Sequence, residues 1–431
     1  MNQISKRERR LSGVPSGIAR PWWGRMLRSP VFWLSVILLP MYALMLVHQW
    51  VMFSTAEEFE DGTETLAFTV QTLRQAALLA LPTAVIYSTL FLWLDRFRPQ
   101  RPMVWLLTFG WGAAASTWFS LHVNTWMGQH MATTAADADT GARSAVFSAP
   151  VIEEATKATV LFLLIILMRR QVVSRLSIIA LSGLSAIGFA FVENIIYYGR
   201  AITYAVNDIS VEDPEAAVRE LVLLRGLYTS FGHPLFTTMT AVGLAVAIAA
   251  RSKLVRVLAP IGGFFLAVAG HMLFNGLAST HPTEELFWHW VAALVVVGII
   301  VIVLIVSVFL QARLIRRRLT DFAEQGWLKP GDIELFGRVF PRLKYLMKAV
   351  CWGPKRWWYS ARLTRAVTEL AYLRSAQTRG QVGQGGAERI AELVQQIEDL
   401  RPLALSLDPN VRWFGWRKRR RRSLAGSAGR A

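Results

Sequence analysis

The sequence predicts an all-α polytopic membrane protein: a helix bundle of about eight spans, followed by a basic, partly helical cytoplasmic tail. Hydrophobic residues make up 53% of the 431 residues and charged residues only 18%, whereas soluble domains usually carry about 25% charge. The mean hydropathy is +0.36, yet the formal net charge is +18. An apolar chain with a large positive charge is typical of a membrane protein with basic cytoplasmic ends, and excludes a disordered chain.

Eight stretches satisfy the length of a membrane helix, which needs roughly 20 mostly apolar residues. They are residues 31–50, 70–94, 103–121, 146–168, 176–199, 226–250, 257–279 and 287–310. The first stretch is too long for a cleaved signal peptide, so we interpret it as a retained helix. Seventeen Trp residues fit a membrane protein, because indole rings favour the membrane interface.

The loop charges alternate along the chain and predict its orientation. Residues 1–28 and the loops near 95–101, 169–175 and 251–256 are basic, with sixteen Lys and Arg against two acids. The intervening loops are acidic and contain Glu57, Glu58, Glu60, Asp61 and Glu64, then Asp208, Glu212, Asp213, Glu215 and Glu220, then Glu284 and Glu285. The positive-inside rule therefore predicts that both termini lie in the cytoplasm.

The chain divides into a basic N-terminus (1–30), a membrane bundle (31–310) and a basic C-terminal region (311–431). The last region carries 25 Lys and Arg against 10 Asp and Glu. Helices are expected at about 361–376 and 387–400, because apolar residues recur there at helical spacing, with a Gly/Gln linker from Gly380 to Gly386 between them.

The C-terminal region is expected to bind anionic lipid through its charge and its tryptophans. The features that indicate this are Trp352, Trp357 and Trp358 beside Lys355 and Arg356, and the unbroken basic run from Arg417 to Arg422. A charge run alone does not indicate nucleic-acid binding, so no nucleic-acid partner is expected. The sequence does not predict an oligomeric state.

Polar groups lie inside four consecutive predicted spans. Placing an ionisable group in the membrane costs free energy, so such groups usually have a function. They are Glu153, Glu154 and Lys157 in the fourth span, Glu193 and Asn194 in the fifth, His233 in the sixth, and His271 and Asn275 in the seventh. At 1.5 Å per residue, all of them fall roughly 8–13 Å below the outer surface of the hydrocarbon. Acids and imidazoles at one level on four helices predict an active centre near the extracytoplasmic side.

Two chemistries fit these residues, and Lys157 can pair with either adjacent glutamate in both. In the first, Glu193, His233 and His271 hold a metal such as Zn²⁺, and Glu154 is the base. In the second, Glu154 with Glu153 activates water, and His233, His271 or Asn275 donates to the oxyanion. Both routes hydrolyse a peptide bond inside the membrane. A Cys-based zinc site is excluded, because Cys351 is the one cysteine of the chain.

The ordered motifs of these spans resemble the PrsW family of bacterial intramembrane proteases. They read Glu153-Glu154-x-x-Lys157, Phe189-x-x-x-Glu193, His233, and His271 with Asn275, and they occupy about residues 145–280. The wider pattern is also similar to the CAAX prenyl endopeptidases, whose second motif has a His where this chain has Glu193.

The PrsW resemblance implies a bacterial plasma-membrane enzyme that cleaves membrane-anchored proteins, such as anti-sigma factors, near the extracytoplasmic side. The first three spans and the C-terminal region match no motif. A proton-coupled transporter or channel is the competing interpretation, because such a protein also places Glu, His and Lys in the membrane. It would more often use inverted repeats and Gly-broken helices at the midplane, and the sequence shows neither.

Overall fold

The computed structural model describes residues 22–27, 29–56, 66–97, 100–131, 143–168, 174–207, 213–250, 252–280, 285–378 and 384–405. Within these ranges the regular structure is helical and contains no β-strand, so the all-α prediction is confirmed. The basic residues before Trp22, the acidic loop from Glu57 to Glu64, and the run from Arg417 to Arg422 lie outside the described residues.

The helices follow the predicted spans in chain order. They are α1 (Trp22–Met26), α2 (Pro30–Ser54), α3 (Val70–Leu94), α4 (Pro102–Gly110), α5 (Thr117–Met131), α6 (Ala149–Met168), α7 (Arg175–Asn207), α8 (Pro214–Leu223), α9 (Gly232–Ala249), α10 (Lys253–Thr280), α11 (Leu286–Glu324), α12 (Pro330–Phe336), α13 (Val339–Cys351), α14 (Pro354–Gln377) and α15 (Gln384–Leu405). Three π-helical turns also occur in the described ranges: Trp111–Ser116 between α4 and α5, Ser144–Ser148 before α6, and Leu224–Tyr228 after α8.

Six helical stretches of the described chain are long and apolar enough to cross a membrane by length and composition. They are Pro30–Ser54, Val70–Leu94, Arg175–Ala205, Pro214–Ile248, Lys253–Thr280 and Leu286–Glu324. The other two predicted spans, 103–121 and 146–168, are also helical but more polar. One holds the small and polar residues of the turn Trp111–Ser116, and the other holds three ionisable side chains. Both lie against α7, which lets protein cover their polar groups.

Helix α7 is the central helix of the membrane unit and contacts α3, α4, α6 and α9. One glycine of α7 and one of the turn after α4 allow the backbones of these two segments to approach closely. A Cβ atom on Gly188 would lie 2.0 Å from the carbonyl oxygen of Phe109, and one on Gly112 would lie 1.8 Å from that of Ser185. Small residues permit such backbone contact between membrane helices, and here they fix the part of α7 that carries Glu193.

The end of α11 and helices α12–α15 belong to a second compact unit within Ala312–Ala431. Its core includes the buried side chains Ile315, Leu319, Phe322, Phe336, Leu363, Val367, Leu370, Ile390, Leu393 and Ile397. The helices expected at 361–376 and 387–400 are present as α14 and α15. Helix α14 begins earlier than expected, because Gly353 turns the chain with a φ of 101° and Pro354 occupies the first helical position.

Candidate active site

A cluster of ionisable side chains lies inside the membrane unit, where α6, α7, α9 and α10 come together. Helix α6 contributes Glu153, Glu154 and Lys157, α7 contributes Glu193, α9 contributes His233, and α10 contributes His271. The structure therefore brings together six residues that the sequence placed at one depth.

Lys157 is fully buried and links three helices. Its Nζ donates to Oε2 of Glu153 at 3.0 Å and to Oε1 of Glu154 at 3.1 Å. The same Nζ lies 2.9 Å from Nδ1 of His233 and 3.9 Å from the ring centroid of Phe189. Burying an unpaired charge is strongly unfavourable, so the lysine and the two adjacent glutamates depend on one another.

The two adjacent glutamates differ in how many of their carboxylate oxygens take part in hydrogen bonds. Glu154 is fully buried: its Oε1 bonds Lys157 and lies 3.1 Å from Nδ1 of His271, and its Oε2 accepts from the hydroxyl of Thr237 at 2.7 Å. Glu153 is 6% exposed. Its Oε2 bonds Lys157, while its Oε1 makes no hydrogen bond with any residue that the structure describes. Glu153 thus has a carboxylate oxygen free for chemistry, and Glu154 has none.

Glu193 is held by a guanidinium and an imidazole. Its Oε2 lies 2.5 Å from Nη2 of Arg225 and 2.8 Å from Nε2 of His233. The Nε of Arg225 donates to Oδ1 of Asn194 at 2.9 Å, and its guanidinium lies 3.7 Å from the ring centroid of Tyr197. Glu193 therefore positions His233, and Arg225 fixes Glu193 by joining it to Asn194.

Sequence reasoning missed Arg225 and Thr237. Arg225 lies in the π-helical turn just before the predicted sixth span, so it was counted with the loop. The signal that could have found it is a basic residue at the end of a span whose neighbouring loop is mostly acidic. Thr237 lies one turn after His233 on α9, and residues four apart share a helix face.

Each histidine has one ring nitrogen at a carboxylate and the other directed into the cluster. His233 uses Nε2 for Glu193, and its Nδ1 faces Lys157. His271 uses Nδ1 for Glu154, and its Nε2 lies 4.0 Å from Oε2 of Glu153. A carboxylate at one imidazole nitrogen fixes the ring and its tautomer, which leaves the second nitrogen for a metal or a proton.

Glu153, His233 and His271 each offer a ligand atom within 4.8 Å of the others. Two imidazoles and one carboxylate are a common ligand set of catalytic zinc, so the donor chemistry fits such an ion. The set differs by one ligand from that proposed from the sequence, where Glu193 stood in the place of Glu153. In the structure Glu193 contacts His233 through the other ring nitrogen.

Asn275 lies one turn after His271 on α10. Its Nδ2 donates to the carbonyl oxygen of Ala145 at 2.8 Å, in the turn Ser144–Ser148 that leads into α6. The amide proposed from the sequence as an oxyanion donor therefore joins α10 to the start of the helix that carries the glutamates.

Comparison with known proteins agrees with the motifs. Residues 100–307 match the family described as PrsW family intramembrane metalloprotease, and this segment contains the whole cluster together with Arg225, Thr237 and Asn275. Searches of curated proteins and of solved structures gave no match. Residues 100–307 are therefore a PrsW-family domain, and the protein is a multi-pass membrane enzyme of the intramembrane metalloprotease type. A transporter or channel is not favoured.

Proposed function

We propose that the protein is an intramembrane endopeptidase that hydrolyses peptide bonds of membrane-anchored proteins, near the extracytoplasmic side of a bacterial plasma membrane. The observation that carries the proposal is the buried cluster in which one oxygen of Glu153 is free beside two imidazoles held by carboxylates. Peptide hydrolysis needs an acceptor for the proton of water and a group that stabilises the developing oxyanion, and the cluster supplies both. Anti-sigma factors are the substrate type that the family resemblance suggests.

In the metal-free mechanism Oε1 of Glu153 accepts the proton from the attacking water. Glu154 is a positioning residue, because its oxygens hold Lys157, His271 and Thr237. This exchanges the roles of the two glutamates relative to the sequence-based proposal, in which Glu154 was the base. The hydrogen bond from Lys157 to Oε2 of Glu153 leaves Oε1 of the same carboxylate directed away from the ammonium group.

A metal ion, where bound, would be held by Glu153, His233 and His271. Bound there, it would supply Lewis-acid chemistry toward the scissile carbonyl and the attacking water. Glu193 and Glu154 orient the two imidazoles in either case, since each accepts a hydrogen bond at the ring nitrogen that points away from the cluster. In the metal-free route the same two imidazoles donate to the oxyanion in their doubly protonated form, because the neutral ring already uses its one N–H at the carboxylate.

Co-expression with tagged single-pass membrane proteins tests the proposed function. The full-length protein should yield new fragments whose ends, read by mass spectrometry, lie in the outer part of the substrate's membrane segment. Glu153→Gln should abolish these fragments, while the matched variant Glu215→Gln, at an exposed glutamate of α8, should not. Fragments that persist in Glu153→Gln would contradict the proposed mechanism.

A further inference from the structure

The exposed sides of α13 and α14 form a surface on the C-terminal unit that is both basic and apolar. We call it the docking face and define it by Phe340, Lys344, Met347, Lys348, Val350, Cys351, Trp352, Lys355, Trp357, Trp358 and Arg362. All eleven side chains are exposed. Met347 is 62% exposed and Val350 60%, and a group of exposed apolar side chains on one face is typical of an interaction or membrane surface.

The docking face on α13 is one continuous side of the helix. Its exposed positions recur at intervals of three or four residues, which places them together. They are Phe340, Lys344, Met347, Lys348 and Cys351. The other side carries the buried residues Val339, Arg342, Tyr345 and Ala349. The core of the unit therefore does not use the docking face.

The charge of this part of the chain has one sign. Between Arg338 and Thr368 there are eight Lys and Arg and no Asp or Glu. Guanidinium groups lie over the exposed indoles: that of Arg356 is 5.0 Å from the ring centroid of Trp352, and that of Arg362 is 4.5 Å from that of Trp358. Indole with Lys or Arg is the combination found where proteins meet the lipid headgroups.

Helix α15 of the same unit exposes the opposite charge. Its exposed charged residues are Glu388, Glu392, Glu398 and Asp399. An anionic surface attracts the docking face and repels this side of α15. The unit thus exposes basic side chains on α13 and α14 and acidic side chains on α15.

We propose that the docking face binds the anionic headgroups of the lipid bilayer and inserts its tryptophans at the interface. The unit continues directly from α11, a helix apolar enough to cross a membrane, so a bilayer surface is always within reach of the chain. A lipid interface pairs the lysines with anionic headgroups and also takes up exposed apolar side chains such as Met347 and Val350.

This proposal is independent of the peptidase activity. The expectation drawn from the sequence named the tryptophans Trp352, Trp357 and Trp358 beside Lys355 and Arg356, together with the basic run from Arg417 to Arg422. The proposal adds the exposed side of α13 to those tryptophans and assigns binding to this folded surface without the run.

The single cysteine of the chain lies on the docking face, and its side chain is exposed. A nitroxide on Cys351 of the full-length protein can therefore report depth in lipid nanodiscs, through collisions with oxygen and with a water-soluble nickel chelate. In discs that contain phosphatidylglycerol, nickel accessibility should be at least about threefold lower than in discs of phosphatidylcholine alone, and high salt should reduce the difference.

Three variants make this test specific. A label at position 392, in Cys351→Ser/Glu392→Cys, should stay accessible to nickel in both lipids. Lys344→Glu/Lys348→Glu, at two exposed positions, should remove the lipid dependence at Cys351. Replacing the six residues from Arg417 to Arg422 with Gln should preserve it.

Equal accessibility of Cys351 in both lipids would overturn the proposal, as would an equal response of the label at position 392. Loss of the response on replacing the run 417–422 would assign lipid binding to that run instead. A label at Cys351 that responds to added nucleic acid and not to phosphatidylglycerol would make the face a nucleic-acid surface, and the proposal would be wrong.

Discussion

Nε2 of His233 lies 2.8 Å from Oε2 of Glu193, so this imidazole presents only Nδ1 to the centre of the cluster. Glu154 holds His271 in the same way, through Nδ1. The two imidazoles are therefore fixed from outside by carboxylates, and Glu153 lies between them. Carboxylates behind ligand histidines orient the rings and raise their basicity. Glu153, His233 and His271 can therefore contact a metal. Glu193 and Glu154 position the two imidazoles.

The first prediction concerns the ligand set. Glu153→Gln, His233→Ala and His271→Ala should each abolish stoichiometric zinc binding, because each removes a ligand. Glu193→Gln should only weaken binding, by about 10–100-fold, as is typical for a carboxylate behind a ligand histidine. Metal content of the purified protein, measured at a series of free zinc concentrations, checks this, with Glu215→Gln as the control. If Glu193→Gln loses all zinc binding and Glu153→Gln retains it, the ligand set proposed from the sequence is correct, with Glu193 in the place of Glu153.

The second prediction separates the two adjacent glutamates. Glu153→Gln should lower the cleavage rate by about 10²–10⁴-fold, the usual contribution of a general base. Its melting temperature should fall less than that of Glu154→Gln, because the amide oxygen can still accept from Lys157 and Glu154 remains as the fully buried counter-ion. Glu154→Gln should lower both rate and melting temperature, because a fully buried charge partner of Lys157 is lost.

Parallel measurements of cleavage and thermal unfolding in detergent decide the second prediction. Glu215→Gln should match the wild type in both. The opposite pattern, with a stable but inactive Glu154→Gln and an active Glu153→Gln, would return the role of base to Glu154.

Much of this fold follows from the sequence, because a membrane allows only long apolar helices or closed barrels. Eight apolar stretches with alternating loop charge left little choice of fold class. The polar groups at one depth on four helices also predicted that Glu153, Glu193, His233 and His271 would meet. These inferences use only spacing along single helices.

The sequence could not tell which of two neighbouring glutamates is free. Glu153 and Glu154 differ by about 100° around α6, and the distinction depends on Thr237 and His271, which come from other helices. Arg225 was missed for a related reason. A π-helical turn changes the direction of the side chains that follow it, so its approach to Glu193 is not visible in a regular helical pattern.

A third prediction concerns Arg225, which contacts Glu193 through Nη2 and Asn194 through Nε. Arg225→Lys should lower cleavage by about 10-fold, because an ammonium cannot bridge two acceptors as a planar guanidinium does. Arg219→Lys, at an exposed arginine of α8, is the matched control. If Arg225→Lys cleaves as fast as the wild type, Arg225 does not position Glu193.

The fourth prediction is the orientation, which rests on the loop charges. Reporter fusions after Gly62, Thr140 and Asp213 should indicate the extracytoplasmic side, and a fusion after Gly385 should indicate the cytoplasm. A cytoplasmic signal after Asp213 would reverse the orientation and would place the active site near the inner surface.

The last prediction concerns Lys157, whose Nζ contacts Oε2 of Glu153 and Nδ1 of His233. These residues also belong to the metal-ligand set, so the ammonium and a metal ion share partners. Lys157→Met keeps a side chain of similar length but leaves two buried carboxylates without their cation. Without metal it should therefore be destabilised by about 3–5 kcal/mol.

Added zinc should reverse part of the loss in Lys157→Met, because a ligand that binds only the folded state stabilises it by about 2.7 kcal/mol at 100 times its dissociation constant. Melting temperatures with and without zinc measure this. The double variant Glu153→Gln/Lys157→Met should respond less, since it lacks one ligand as well. If zinc leaves the melting temperature of Lys157→Met unchanged, the three residues do not hold a metal, and the cluster works by the glutamate and its two imidazoles alone.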